Sequence, residues 1–429
     1  MARLLHSLRR VLGLTPPAVA PRSHARAIDT DFSVFREGDR VVLQTKQPSL
    51  SKPLKRGDKT HLRRGYVEHD RIIGSPDLRL SLPTLEEYVA LTPRLVTPIY
   101  SHDGNLIVSL LDIHVNTPAA GEAQPPLEIL ESGTGHGSLT LHLARAIHAA
   151  NTTPPPRPSQ SQIQFLEDRG ERPGEEDSKW TEDYQGSVNA DTTQQQWDAW
   201  RAQRNAVIHT VDVSSKFSAL AEKNVRGFRR GIYAGDVDFY VGPVENWIAE
   251  QKRRRAKPGV LSSLTGQSPV EPFLSHVILD MPSAHLRIPH VVPILRRDGF
   301  LVVFMPSITQ IGDCVKLIRK LRLPFVQDRV VELGAGLTSG RQWDVRLAVK
   351  KSGADPSSWG ASSETEGPNP AADSDETPSS GSESADAPSH EEPSKEEDLV
   401  MVCRPKVGLR TVGGGFVGIW RRIEDRSSQ

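Results

Sequence analysis

The run Leu127-Glu128-Ile129-Leu130-Glu131-Ser132-Gly133-Thr134-Gly135-His136-Gly137-Ser138 decides the fold. Its first residues are largely apolar and end in an acid, as a short buried strand would. Three glycines at every second position follow, a spacing that lets the backbone turn sharply and approach a ligand with no Cβ in the way. Residues 138–149 then carry a helical pattern rich in Leu and Ala. Strand, glycine turn and helix form the first unit of a doubly wound α/β sheet, which binds ligands beyond the carboxyl ends of its strands.

Working outward, apolar strand patterns recur at 206–213, 237–241, 276–280, 299–305, 329–333 and 345–349, with helical patterns at 216–227 and 308–321. Strand material returns at 399–403 and 416–421. The expectation is an α/β, Rossmann-like domain with a sheet of about seven strands, carried by residues 81–350 and completed by 399–426. Upstream, residues 29–80 hold short apolar pieces such as Val41-Val42-Leu43 broken by Gly57, Gly65 and Gly74, which predicts a small N-terminal β-domain. Thr84, three residues before Glu87, is a capping-box signature for a helix, and 107–113 reads as a second helical stretch.

The 429 residues carry 53 Lys+Arg and 53 Asp+Glu, so the formal net charge is zero. That average conceals a partition. Residues 151–200 hold 10 acids against 4 bases and residues 352–398 hold 13 against 1, leaving 48 bases against 30 acids elsewhere. The stretches 152–204 and 352–398 have too few apolar side chains to repay ordering entropy, and both are expected to be disordered acidic inserts. The basic remainder suits an RNA partner. No apolar run approaches the roughly 18–20 residues of a membrane-spanning helix. Two cysteines, Cys314 and Cys403, with no CxxC and no paired histidines, argue against a disulfide scaffold and a zinc site.

Residues 1–28 contain five arginines and no acid, with Leu4, Leu5, Leu8, Val11 and Leu12 at helical spacing. That composition is the one expected of a mitochondrial presequence, which points to the mitochondrial matrix. The cluster Lys252-Arg253-Arg254-Arg255-Ala256-Lys257 could contact RNA, remain a solvated charge run, or mimic a nuclear import signal, the alternative address.

The acid two residues before the first glycine selects the ligand. Dinucleotide folds use GxGxxG and seat a diphosphate on the helix N-terminus. Here the spacing is GxGxG, and Glu131 offers nothing to a diphosphate but much to a cation. S-adenosyl-L-methionine presents an ammonium, a sulfonium and a ribose, with no phosphate. Glu131, Gly133, Thr134, Gly135, Gly137, Ser138 and Leu139 are therefore its candidate contacts, and NAD-dependent oxidation is the disfavoured competitor. Asp212 ends the next strand, where it could accept from both ribose hydroxyls; NAD would suit it equally. Asp280, in Leu279-Asp280-Met281-Pro282, ends another strand with a rigid proline exit. An acid there can accept a hydrogen bond from an exocyclic amine and raise electron density on the adjacent ring nitrogen.

Further blocks surround these in order: Pro53-Leu54-Lys55, His61-Leu62-Arg63-Arg64-Gly65, Ile73-Gly74, Pro83-Thr84-Leu85-Glu86-Glu87-Tyr88-Val89, Tyr100 with Asp103, and Ile288-Pro289-His290. With the 131–140 turn and Asp280-Met281-Pro282, they resemble the catalytic subunit family of the tRNA (adenine-58-N1)-methyltransferases, in its fungal-type mitochondrial form. The resemblance covers most of the chain outside the leader and the inserts. It implies a class I S-adenosylmethionine-dependent methyltransferase that methylates adenine N1 at T-loop position 58 of tRNA without a covalent enzyme intermediate. It also implies Asp280 as the catalytic contact to the target base, an N-terminal domain that helps grip tRNA, and a homo-tetramer or a hetero-tetramer with a non-catalytic subunit. Arg63 and Arg64, with Lys52 and Lys55, are candidate phosphate contacts. Two departures stand out. Val241-Gly242-Pro243-Val244 lacks the acid that the family usually has near the cofactor adenine, and Pro282-Ser283-Ala284-His285 replaces a Pro-x-Pro pattern. They keep a non-catalytic RNA-binding or assembly subunit as the alternative.

Overall fold

The computed structural model describes residues 29–43, 48–62, 65–74, 80–95, 97–116, 125–166, 188–256, 270–334, 343–349, 399–405 and 414–424. The leader 1–28, the insert 352–398, and Arg63 and Arg64 lie outside the described residues. The chain divides into two compact units, one of residues 1–338 with 411–429 and one of residues 339–410.

Five short strands build the N-terminal part: β1 (Val42–Leu43), β2 (Ser49–Leu50), β3 (Lys59–His61), β4 (Tyr66–Glu68) and β5 (Leu80–Ser81). β2, β1 and β5 form an antiparallel sheet, and β3 pairs with β4 as a hairpin. Phe35, Val41, Leu43, Leu54 and Ile72 form a small separate core. His69 is fully buried, its Nδ1 accepting from the Lys55 amide at 2.9 Å and its Nε2 donating to Thr60 Oγ1 at 2.8 Å, so both ring nitrogens are satisfied.

Arg230 is a polar tie between this domain and the larger one. Arg230 donates from Nε and Nη2 to the two carboxylate oxygens of Asp39, each at 2.8 Å, and from its Nη atoms to the carbonyls of Asp29, Asp31 and Val34. Asp39 is buried. Arg230→Ala would strand that carboxylate without its partner, and should cost about 3–5 kcal/mol. The expected readouts are a lowered Tm and early proteolysis of residues 29–80; an unchanged Tm would show that domain docking does not depend on the arginine.

Two helices follow the small domain, α1 (Leu85–Leu91) and α2 (Ser101–Leu110). The capping box expected at α1 is present, with the Glu87 amide on Thr84 Oγ1 at 3.2 Å and the Thr84 amide on Glu87 Oε2 at 2.9 Å. The main sheet then opens with β6 (Leu127–Ser132) and the helix α3 (Ser138–Ile147). β7 (Gln164–Phe165), α4 (Val188–Arg201), β8 (Ala206–Asp212), α5 (Ser215–Gly227), β9 (Val237–Val241) and α6 (Val244–Arg255) continue it. β10 (Leu274–Leu279), α7 (Ile288–Val291), β11 (Leu295–Met305), α8 (Ile308–Lys320) and β12 (Phe325–Leu333) complete the alternation.

After the hairpin β13 (Trp343–Val349) and β14 (Leu399–Pro405), the last strand is β15 (Gly415–Arg422). The eight-stranded order is β12-β15-β11-β10-β6-β8-β9-β7. β15 runs antiparallel to both of its neighbours, while the other pairings in this sheet are parallel. The chain travels outward from β6 to β8 and β9, then returns to lay β10 on the other side of β6. That reversal opens a crevice at the carboxyl ends of β6 and β10. Along β6 the side chains alternate, Ile129 entering the core on one face and Leu130 the core on the other. Among the described residues, no helix is long and apolar enough to cross a membrane.

Two expectations change. The stretch 152–204 is not wholly a disordered insert, because both its ends are structured. β7 adds an eighth strand in parallel register to β9, and α4 buries Trp197 and sets the Trp200 indole on Thr152 Oγ1 at 2.9 Å. Arg201 and Arg204 reach buried Asp238 at 2.8 and 2.7 Å. Average composition hides how a few tryptophans and paired arginines anchor a polar segment. The strand at 345–349 is not part of the main sheet: β13 pairs antiparallel with β14 in a two-stranded unit, so of the strands after β12 only β15 joins the eight-stranded sheet.

Candidate active site at the switch point of the sheet

β6 delivers the glycine turn to the crevice, and hydrogen bonds from its neighbours fix the turn there. The Gly133 amide donates to the Val211 carbonyl at 2.9 Å, and the Asp280 amide donates to the Ser132 carbonyl at 2.8 Å. Gly133, Gly135 and Gly137 all have positive φ, at 98°, 55° and 84°. At Gly133 the requirement is steric as well, since a Cβ would lie 1.8 Å from the Asp280 carbonyl oxygen. The turn therefore packs directly on the strand end that carries Asp280.

A cleft of about 460 Å³ opens over this turn, within the roughly 300–1,000 Å³ range of small-molecule sites. Glu131, Gly133, Thr134, Gly135, Ser138, Leu139, Asp212 and Asp280 all line it. Gly137 sits one step behind, as the left-handed cap of α3. Asp212 accepts from the Gly135 amide at 3.1 Å and the Ser214 amide at 2.9 Å, which holds its carboxylate at the end of β8.

Glu131 is buried beneath the turn. Thr140 Oγ1 and Thr210 Oγ1 donate to its Oε2 at 2.6 and 2.8 Å, and Thr134 reaches the Thr210 hydroxyl at 2.7 Å. Burial, only partly offset by these hydroxyls, pushes its carboxyl up to about 8. The Asp280 carboxyl is raised to about 7, mainly by burial and then by Asp212. Three carboxyl groups thus converge on one cleft, with no cationic side chain lining it. The arrangement leaves room for a cation.

Several lining residues escaped the sequence reading. The segment Thr97-Pro98-Ile99 crosses the turn, pinned where Ser138 Oγ donates to the Ile99 carbonyl. Val213, Phe217, Gly242 and Val244 make the far end apolar. Among the described residues no acid after β9 lines the cleft, and Glu245 turns to Arg287 at 2.8 Å. Thr140 and Thr210 could have been suspected: a hydroxyl inside an otherwise apolar buried strand or helix needs a partner. Lys52 and Lys55 are exposed on the small domain. The basic run at the end of α6 is partly paired, Arg253 and Arg254 sharing Glu250 and Arg255 binding Glu128 at 2.9 and 2.7 Å.

Comparison with known proteins converges on the same class. A family model described as TrmI-like N-terminal matches residues 34–78. The tRNA (adenine(58)-N(1))-methyltransferase TrmI of Thermus thermophilus is 26% identical over 306 residues, spanning 69% of this chain and 83% of that protein, and its counterpart from a second strain of the species matches equally. Among solved structures, the tRNA (m1A58) methyltransferase TrmI of Aquifex aeolicus aligns at a TM-score of 0.45 and 13% identity, over 91% of this chain and 100% of that one. An S-adenosylmethionine-dependent O-methyltransferase of Thermotoga maritima aligns at 0.47 and 14%, over 92% and 96%. In sequence the chain is similar to the TrmI-type tRNA (adenine-58-N1)-methyltransferases, and its sheet order and glycine turn are those of a doubly wound α/β domain.

Proposed function

We propose that the protein methylates N1 of an adenine in tRNA, at T-loop position 58, and that it works in the mitochondrial matrix. The observation that carries the reaction is Asp280: a strand-end carboxylate at the switch point, lining the cleft, whose oxygens meet no hydrogen-bond donor among the described residues. S-adenosylmethionine supplies a methyl group on a cationic sulfur that a ring nitrogen can attack in line.

The chain supplies the setting. Asp212 is placed to take ribose hydroxyls, and Val213, Phe217 and Val244 offer apolar contact to a purine. Glu131 and Asp280 favour the cationic end of the cofactor. Asp280 also accepts from the exocyclic amine of the target adenine, raising electron density on N1 and meeting the positive charge that the ring acquires. Positioning and electrostatics provide the acceleration, and no side chain is alkylated.

The carboxyl groups give this reading a pH signature. Both titrate above their ordinary values of 4.5 and 3.8 in the folded chain. Their contribution to stability is therefore complete below about pH 4 and is lost as pH rises towards about 8. A cation in the cleft favours the ionised forms and reverses this. Binding of S-adenosylmethionine near pH 7 should release protons, and affinity should rise between pH 6 and about 8.5. Calorimetry in two buffers of different ionisation enthalpy reads the release directly; a heat independent of buffer would contradict it.

The proposal for the compartment rests on the acid-free, Arg-rich leader. That for the tRNA rests on the relatives and on the basic surplus outside the acidic stretches. Purified full-length protein should label a tRNA transcript with adenine at position 58 and leave a uridine-58 transcript unlabelled; equal labelling would refute the position. Cofactor binding without transfer to any tRNA would favour the non-catalytic subunit, whose motivating features are Val241–Val244 after β9 and Ser283–His285 after Asp280. In cells, loss of the gene should remove 1-methyladenosine from mitochondrial tRNA, and a full-length fluorescent fusion that stays cytosolic or nuclear would refute the compartment. The expected tetramer, of one subunit type or with a non-catalytic partner, is a question for sedimentation of the purified chain.

A further inference from the structure

Nine large apolar side chains are exposed among the described residues, and four of them belong to segments that line the cleft or follow the carboxyl ends of its sheet's strands: Leu95, Val213, Leu286 and Ile308, each between 49 and 69% exposed. Val213 follows β8 and lines the cleft itself. Leu286 lies in the short helical turn that follows Asp280-Met281-Pro282, and Ile308 opens α8 immediately after β11. Leu95 lies two residues before Thr97, where the segment over the glycine turn begins to line the cleft. Apolar residues scattered singly over a surface need no explanation, but a group around the mouth of a catalytic cleft marks a contact.

The chemistry of the substrate says what that contact must do. Adenine N1 lies on the pairing edge, so the base has to leave its stack before it can enter the cleft. Extrusion strips the flanking bases of a stacking partner, and proteins that open base stacks commonly fill the gap with Leu, Ile, Met or Phe. One cation for the adjoining phosphates is in place. Arg94 precedes Leu95, lies over the Tyr100 ring at 5.3 Å and pairs with no carboxylate among the described residues. Arg287, which follows Leu286, is held by Glu245 at 2.8 Å and is not counted with it.

We propose that Leu95 and Leu286 are the positioning residues that pack on the bases flanking the extruded adenine, and so admit a structured RNA to the cleft. This rests on the tRNA-methylation reading above. Neither side chain touches the reacting atoms; their part is to offset the loss of stacking. Covering one leucine is worth a factor of about ten or more in affinity.

The test uses the full chain saturated with S-adenosylmethionine, the single and double variants Leu95→Ser and Leu286→Ser, and two substrates. One is a folded tRNA carrying 2-aminopurine beside the target adenine; the other is a short unstructured adenine-containing oligonucleotide. The double variant should raise KM for folded tRNA about tenfold or more and abolish the rise in 2-aminopurine emission on binding. KM for the oligonucleotide, kcat and cofactor affinity should stay within about threefold, about 0.6 kcal/mol. A folded-tRNA KM within about twofold of wild type would overturn the inference, as would a parallel loss of cofactor affinity. A change of oligomeric state with unchanged KM would make the rim a subunit contact instead, which also overturns it. If wild-type protein methylates neither RNA, the functional reading itself falls; if it methylates both and the variants match it, only this inference falls.

Discussion

Asp280→Ala should lower kcat for methyl transfer about a thousandfold, within the 10²–10⁴ range that a positioned acid or base contributes, while the Kd for S-adenosylmethionine moves only a few-fold. The structure separates the two roles an aspartate could have there. A capping aspartate would receive donors from its own loop, as Asp212 does from the Gly135 and Ser214 amides. The Asp280 side chain receives none among the described residues; only its backbone is engaged, its amide on Ser132 and its carbonyl against Gly133. Alanine keeps both backbone contacts. It also removes a carboxyl group that burial and Asp212 hold at an unfavourable proton affinity. Stability should therefore stay level or rise, and a Tm that falls with activity would mark Asp280 as structural. Asp280→Asn sharpens the test, since it keeps the shape and an acceptor oxygen but loses the charge that answers a cationic product. Single-turnover transfer to tRNA, with cofactor binding measured on the same preparations, decides between the outcomes.

What could be read from the chain beforehand divides along a physical line. Strand, glycine turn and helix at 127–147 were legible because each depends on neighbours in sequence: an apolar run, residues free to take positive φ, and a helical stripe. The acids at 131, 212 and 280 were legible because strand ends in a doubly wound sheet point to one edge, and the structure brings all three to one cleft. The order in which strands pair was not legible, as it is set by contacts between segments far apart in the chain, such as His276 with Ile129. That is why Trp343–Val349 looked like another strand of the main sheet, although its partner is Leu399–Pro405. The segment 152–204 was misjudged for a related reason. Its composition is polar, yet Trp197 is buried, and Glu222 on α5 binds Ser161 Oγ at 2.6 Å and the Gln162 amide at 2.8 Å. A few long-range partners order a stretch that local composition would leave loose. For the arginines ending α6 the sequence left RNA contact, a solvated charge run and an import signal open, and it did not reveal that Arg255 reaches Glu128, 127 residues away.

Gly133→Ala should be the most damaging single-methyl substitution in the site, costing about 2–5 kcal/mol or more and abolishing measurable cofactor binding. Two costs combine. A left-handed backbone at φ 98° is unfavourable for any L side chain, by roughly 1–2 kcal/mol. In addition the new Cβ would meet the Asp280 carbonyl oxygen at 1.8 Å and its carbonyl carbon at 2.7 Å. Neither partner can retreat cheaply, because Gly133 is bonded to β8 through Val211 and Asp280 to β6 through Ser132. Relief means breaking the ladder where the cleft is built, and overpacking of that kind adds a few kcal/mol more, about 1–3 or above. Gly137→Ala is the internal control. It shares the left-handed backbone, at φ 84°, but its Cβ would meet Ala221 at 3.3 Å, a gap that small shifts of α5 can open. Its cost should be near the backbone figure alone, about 1–2 kcal/mol. Thermal unfolding and cofactor titration of the two variants should therefore rank them in that order. The clash at Gly133 is with main-chain atoms, so adding Asp280→Ala to Gly133→Ala should restore no more stability than Asp280→Ala adds on its own. A larger recovery in that double variant would show that the turn is held against the Asp280 side chain rather than its backbone.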